Sequence, residues 1–373
     1  MCRCIFSGRT ITQKETQNDR RRQERTNSEV RRWLRRSRQR SRRISERQID
    51  REVAAGFLLA SLTEARAQSS RAKSAASYFA RGSEWHARGE LDRAIADYGI
   101  AITFDPRFAR AYHARARARL DKGEVEAAMG DLNRALELDP RQVAAYNDRG
   151  YILSDLGELD TALADFNRAL ELDPRFTRAH YNRAFIRISR LDYKGAIADY
   201  DRVIEIDKKY VAAYNNRGYA RVALGDHDGA LADFKRAIKL DPRYASAYGN
   251  RGNLHFARGD FEGAIADHTR AIELTPNLAE NYNNRANARY AKTDYEEAIA
   301  DYNQALALNP RYAEVYANRG MMWLRRGRTA EAEADFAQCL ALKPDMKSSI
   351  EQRIKQLEAR YSSHRRFSQK DCK

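Results

Sequence analysis

The sequence predicts an all-α solenoid of stacked helix pairs, and three observations carry that prediction. All seven prolines, Pro106, Pro140, Pro174, Pro242, Pro276, Pro310 and Pro344, lie on one lattice with a 34-residue step, vacant only where Lys208 stands. Eight consecutive units over 75–346 each read as two helical patterns joined by a short turn. No strand pattern interrupts them, and self-similarity at such a period marks a repeat architecture.

Each element follows from local chemistry. In the fifth unit Val211 to Leu224 forms the first helix, Gly225-Asp226 the turn and His227 to Leu240 the second. Asp-Pro then stops the chain, because proline lacks an amide hydrogen and pushes its predecessor out of helical geometry. Glycine ends the first helix at Gly89, Gly123, Gly157, Gly225, Gly259 and Gly327, where positive φ costs it least. Leu191 and Thr293 take that place in two units, so those turns should be tighter or strained. Numbering each unit from Ala75 onward, the eighth place is always Gly or Ala and the twentieth always Ala, from Ala94 to Ala332. Such small residues let two helix backbones approach toward the lower end of the usual ~8–10 Å separation. Tyr98, Phe166, Tyr200, Phe234, Tyr302 and Phe336 supply the bulky knob at place twenty-four.

Small residues at places eight and twenty, an aromatic at twenty-four, Ala at twenty-seven (Ala101, Ala135, Ala169, Ala237, Ala271, Ala305) and proline near the end resemble the tetratricopeptide repeat family, of bacterial type. The resemblance implies a right-handed superhelix whose first helices line a concave groove that binds peptides or proteins. The family often has an aromatic at place eleven. This chain has Trp85, Arg119, Leu153, Arg187, Arg221, His255, Arg289 and Trp323, so the packing there must differ.

Two charged places recur in every unit. Place seven, commonly leucine in the family, is arginine from Arg81 to Arg319, and place twenty-three is aspartate from Asp97 to Asp335. In an antiparallel pair that turns near residue fifteen, these places stand at the same height. A repeated bidentate Arg–Asp pair is expected, fixing helix register more than adding net stability.

Charge divides the chain. Residues 1–51 carry 17 Lys/Arg against 6 Asp/Glu, the units 40 against 41, and residues 347–373 carry 8 against 3, so the net +16 lives mainly in the tails. A near-neutral array excludes a nucleic-acid channel built from the repeats, which needs an unbalanced basic stripe. No catalytic constellation is found, and no cofactor or metal is expected. His113, His180, His227 and His268 fall where sibling units carry Asn, Tyr, Phe or Leu, and read as packing or surface variants. Cys339 replaces a core alanine, while Cys2, Cys4 and Cys372 lack zinc-ligand spacing.

The groove holds the candidate binding residues. Places two, five, six, nine, twelve and thirteen share one face of a first helix. Place six gives a ladder, Asp148, Asn182, Asn216, Asn250, Asn284 and Asn318. An asparagine amide both donates and accepts, so each rung can meet the backbone of an extended peptide whatever its side chains. At place nine Tyr151, Phe185 and Tyr219 give way to Asn253 and Asn287, an aromatic half and a polar half, which suggests a ligand with an apolar portion read by units three to five. The ladder is similar to the asparagine row of O-linked N-acetylglucosamine transferases. With 27 residues after Met346, only the binding property is expected to carry over. The carboxylate-clamp pattern of chaperone-binding members is not met, since place five offers Asn147, Asn215 and Asn283 rather than lysine.

The ends complete the plan. Residues 1–51 read as a basic, disordered or mis-assigned extension, 52–74 as a signal peptide and linker, 347–361 as a capping helix and 362–373 as a disordered tail. The apolar run Val53 to Thr63 before Ala65-Arg66-Ala67 resembles a secretory signal and is too short to span a bilayer. Its alternative is an amphipathic helix that caps the first unit through Ile49, Val53, Phe57 and Leu58. The expected function is a non-enzymatic scaffold that binds a protein or extended peptide, periplasmic or secreted after cleavage near Ala67. The alternative is a cytoplasmic or nuclear adaptor whose arginine-rich tail contacts nucleic acid or acidic surfaces.

Overall fold

The computed structural model describes residues 46–368, with side chains for 54–65 and 69–359, and divides into two compact units between Glu124 and Val125. Among the described residues there are α-helices, one 3-10 turn (Pro344–Met346) and no strand. The first unit holds α1 (Glu46–Ala87), α2 (Leu91–Phe104) and α3 (Ala109–Asp121). The second opens with α4 (Val125–Leu138), α5 (Val143–Asp155), α6 (Leu159–Leu172), α7 (Thr177–Ser189), α8 (Tyr193–Ile206), α9 (Val211–Ala223) and α10 (His227–Leu240). It continues through α11 (Ala245–Ala257), α12 (Phe261–Leu274), α13 (Ala279–Ala291), α14 (Tyr295–Leu308), α15 (Ala313–Arg325), α16 (Thr329–Leu342) and α17 (Lys347–Ser368).

Backbone chemistry sets the turns. At the end of α9 the Gly225 N–H donates to the Val222 carbonyl at 3.0 Å and the Asp226 N–H to that of Arg221 at 2.9 Å, with Gly225 at φ +81°. Those bonds satisfy carbonyls the helix leaves open. Asp226 then caps α10, accepting from the Gly229 N–H at 2.9 Å, as Asp192 and Asp260 do for Gly195 and Gly263. Leu191 and Thr293 adopt φ of 61° and 72°, the left-handed region that costs a residue with a Cβ about 1–2 kcal/mol. Between repeats, Asp241 accepts from the Arg243 N–H at 2.9 Å across Pro242. Where Lys208 replaces proline, Asp207 accepts from the Lys209 N–H at the same 2.9 Å. The aspartate turn, not the proline, therefore holds this loop.

Both ends of the described chain are helical. α1 runs without a break through 52–74, because proline is absent there and Gly56 alone does not stop it. Its residues 54–65 are exposed, including Phe57, Leu58, Leu59 and Leu62, so Phe57 and Leu58 do not pack as a cap on the first repeat. α17 passes Tyr361 and continues to Ser368, since neither glycine nor proline interrupts it. Ile350 is buried against Phe336 and Cys339, with Ile354 and Leu357 beside it. Residues 1–45 and 369–373, which hold most of the basic extension and Cys2, Cys4 and Cys372, lie outside the described residues.

Inside each pair the knob-and-gap pattern is tight. A Cβ placed on Gly218 would stand 2.7 Å from the Phe234 ring, and one on Gly320 would stand 2.6 Å from Phe336. The alanines at place twenty are fully buried. The Arg–Asp pairing expected from the sequence is present. In Arg81–Asp97, Arg149–Asp165, Arg183–Asp199, Arg217–Asp233, Arg251–Asp267, Arg285–Asp301 and Arg319–Asp335, Nε lies 2.6–3.0 Å from Oδ2 and Nη2 lies 2.5–2.7 Å from Oδ1. The departures at place eleven join this pair: Arg187, Arg221 and Arg289 each bring a second guanidinium to the same aspartate, at 2.7, 2.7 and 2.6 Å. At Asp199 burial opposes ionisation, but hydrogen bonds from His180 and Arg183 and the charges of Arg183 and Arg187 outweigh it and hold the carboxyl below its ordinary range.

The free Nη1 of place seven reaches back to place twenty-five of the preceding repeat. Arg149 donates to Asn133 at 2.9 Å, Arg183 to Asn167 at 2.7 Å, Arg217 to Asp201 at 2.5 Å, Arg285 to Thr269 at 3.1 Å and Arg319 to Asn303 at 2.5 Å. Each arginine thus staples its own pair and ties it to the one before. Arg251 makes no such bond, because place twenty-five is Lys235.

His268 replaces the aromatic knob and is almost wholly buried over Gly252, with no hydrogen-bond partner for Nδ1. Burial pushes its pKa down to about 4. An unfolded imidazole takes up its proton near ~6.5, so acid favours the unfolded chain between these values, by about 3 kcal/mol at the lower end. His268→Phe, which restores the sibling residue, should be more stable than the parent by a margin that widens as pH falls from 7 toward 4 in urea unfolding. A margin independent of pH would contradict the buried neutral imidazole.

Candidate functional site

In the second unit the ladder is a hydrogen-bonded system rather than a row of idle amides. The Nδ2 of Asn182 donates to Asn147 Oδ1 at 3.0 Å, that of Asn250 to Asn215 at 2.9 Å and that of Asn318 to Asn283 at 3.1 Å. In turn Asn147, Asn215 and Asn283 donate to Asp148, Asn216 and Asn284 on their own helices, at 3.1, 3.0 and 3.1 Å. Asn216 continues to the Tyr181 hydroxyl and Asn284 to Asn253 Oδ1, both at 3.0 Å. These bonds link first helices α5, α7, α9, α11, α13 and α15, one repeat to the next.

The pattern alternates every second repeat. Place five reads Asn147, Tyr181, Asn215, Gly249, Asn283 and Ala317, so an amide is available to the next rung only in alternate units. That alternation was readable as a residue pattern, but its meaning depends on neighbours across the stack. Sequence reasoning missed these place-five residues as ladder members. It also gave every rung the full capacity of a free amide, which the structure narrows. The five asparagines are half-buried, and each keeps one N–H beyond its internal bond. Asp148 is not available: it is buried, accepts from Asn147 and pairs with Arg178 at 3.2 Å. Asn318 is joined by Arg353 of α17 at 3.1 Å.

Place nine has an aromatic half and a polar half. Tyr151, Phe185 and Tyr219 are 60, 62 and 49% exposed on three successive first helices. Asn253 accepts from Asn284, and Asn287 accepts from the Tyr302 hydroxyl at 2.7 Å, so the polar half is engaged internally. Around Phe185 and Tyr219 the residues one turn away on the same face, Asn182, Ile188, Ser189, Asn216, Val222 and Ala223, carry no charge. Among the described residues no group of His, Cys, Asp and Glu is placed to hold a metal ion. His180 bridges Asp199 and the Pro174 carbonyl, both at 3.1 Å, and is structural.

Family models described as TPR repeat match residues 116–157, 186–225, 218–257 and 252–292, and models described as tetratricopeptide repeat match 143–176 and 283–347. The chain belongs to the tetratricopeptide repeat family. No curated protein sequence matches it. Among solved structures, the tetratricopeptide array is similar to a chain of the APC/C hetero-tetramer Cut9-Hcn1, with 18% identity over 72% of this chain and a TM-score of 0.57. It spans about half of that chain, 52%. A tetratricopeptide repeat protein from Parabacteroides merdae gives 20% identity and a TM-score of 0.52, covering 70% of this chain and 99% of the other. The pilF protein of Pseudomonas aeruginosa gives 17% and 0.52, covering 57% and 96%. At these identities the likeness carries the fold alone. Tetratricopeptide repeats build protein-interaction scaffolds, and that coarse function follows from the family.

Proposed function

We propose that the first-helix face of the second unit binds an extended, uncharged segment of a partner protein. Its apolar side chains lie on Tyr151, Phe185 and Tyr219, and its main chain meets the remaining N–H groups of Asn182, Asn216, Asn250 and Asn284. The observation that carries this reading is the three large rings left in solvent beside half-buried amides. Exposed aromatics of this kind become binding anchors when a partner covers them. An extended chain needs its backbone groups satisfied once it leaves water, which is the service a row of amides offers. Tyr151→Ala, Phe185→Ala and Tyr219→Ala combined should lower capture of partner proteins by the full chain by at least about tenfold, with helicity and melting unchanged. Equal capture by parent and triple variant places the partner elsewhere.

We propose further that the chain acts in the bacterial envelope, periplasmic or secreted after cleavage near Ala67. Support comes from the exposure of Phe57, Leu58, Leu59 and Leu62 just before Ala65-Arg66-Ala67. Among the described residues no helix is long and apolar enough to cross a membrane. Mass spectrometry of the native protein should find a first peptide beginning near Gln68; peptides from Thr26 to Arg47 in the mature protein contradict it.

A further inference from the structure

Along the edge formed by the turns inside the repeats, a second recurring pair of charges joins neighbours. Place fourteen, just before the turn, is Arg or Lys in six of the eight units, and place eighteen, at the start of the second helix, is Asp or Glu in six. Place fourteen of one repeat reaches place eighteen of the one before. Lys122 meets Asp92 at 2.7 Å, Arg190 meets Asp160 at 2.7 Å and Arg258 meets Asp228 at 2.6 Å, and Lys292–Glu262 and Arg326–Glu296 repeat the contact. Two junctions break the rule. Between repeats two and three the cation is replaced by Leu156, which leaves Glu126; between repeats four and five both places change, to Leu224 and Lys194. Leu156 and Leu224 are 60 and 45% exposed. Glu126 and Lys194 are exposed too, and neither meets an opposite charge among the described residues. Between these junctions lies the turn of repeat four, where Leu191 takes the place of glycine at φ 61° and stands 71% exposed. At that exposure the fold makes little use of the side chain, and backbone strain of this kind gathers at functional sites.

We infer that this edge of repeats two to five binds a second copy of the chain, about a two-fold axis through the Arg190–Asp160 junction. The order of groups along the edge selects this occupant. A two-fold axis reverses that order, so the junction of repeats two and three in one copy faces the junction of repeats four and five in the other. Leu156 then faces the partner's Leu224, and Glu126 faces the partner's Lys194. At the axis Leu191 lies against the partner's Leu191, and Arg190 stands across from the partner's Asp160. Both charges left over at the irregular junctions are thereby matched, and all three leucines are covered. An unrelated partner would have to carry an acid, a base and three apolar side chains in that order, whereas a second copy carries them already. So short an edge belongs with the interfaces below about 1,200 Å², which are weak and reversible, and a Kd of about 1–100 μM is expected. The edge shares no residue with the face of Tyr151, Phe185 and Tyr219, so it stands or falls separately.

Sedimentation velocity of the full chain between about 1 and 100 μM should show a monomer–dimer equilibrium. Lys194→Glu or Glu126→Lys alone sets like charges face to face and should weaken the dimer by at least about tenfold. The two changes together restore opposite charges and should restore the dimer. Leu191→Gly removes the central contact and the strained backbone at once, so it should weaken the dimer by at least about tenfold while the urea midpoint stays level or rises. That combination separates a lost contact from a damaged fold. A monomer throughout, a dimer that either single reversal or Leu191→Gly leaves as strong as the parent's, or a double exchange no tighter than the single changes overturns the inference. The triple ring variant should dimerise as the parent does; loss of the dimer there would move the contact to the first-helix face and overturn it too.

Discussion

A carboxylate buried at the same place in each helix pair is the constraint on which the rest of this structure depends. Taken from water alone such a group costs several kcal/mol, so it must meet a cation in good geometry. Arg217 reaches Asp233 with two nitrogens, and this bidentate contact fixes both rotation and height of one helix against the other. Its third nitrogen goes back to Asp201, carrying the same register into the preceding repeat. Register is what the first-helix face requires, because Asn182 can donate to Asn147 only when successive repeats stand level. The gain lies in specificity of arrangement rather than net stability.

This makes groups that the fold does not use recognisable by what they leave unfinished. Place seven, place twenty-three, the alternate amides of place five and the polar half of place nine all close bonds within the chain. Tyr151, Phe185 and Tyr219 close none of comparable extent and remain in water. A near-neutral array of internally matched charges therefore presents one aromatic, uncharged surface.

Much of this was legible because each local rule is written many times. Gly225 and its counterparts, the Asp-Pro boundary and the Arg–Asp places recur on one lattice, and recurrence separates a structural requirement from chance. Single-copy features read less well. Lys208 looked like a break in the pattern, yet Asp207 makes the same turn without proline. The continuity of α1 through 52–74 follows from missing stop signals, which a reading based on motifs undervalues. The alternating amide chain escaped because Asn147 and Asn182 meet only across a stacked interface, 35 residues apart in sequence.

Arg251 and Asp267 offer the cleanest test of the central constraint, since Lys235 leaves Arg251 without the backward bond that its siblings make. A double-mutant cycle with Arg251→Met and Asp267→Asn, followed by urea unfolding, measures the coupling directly. If the pair sets the register, each single change costs about 3–5 kcal/mol and the double change costs less than their sum by about 1–3 kcal/mol. Strictly additive losses, or single losses within about 0–1 kcal/mol as for an exposed pair, would contradict it.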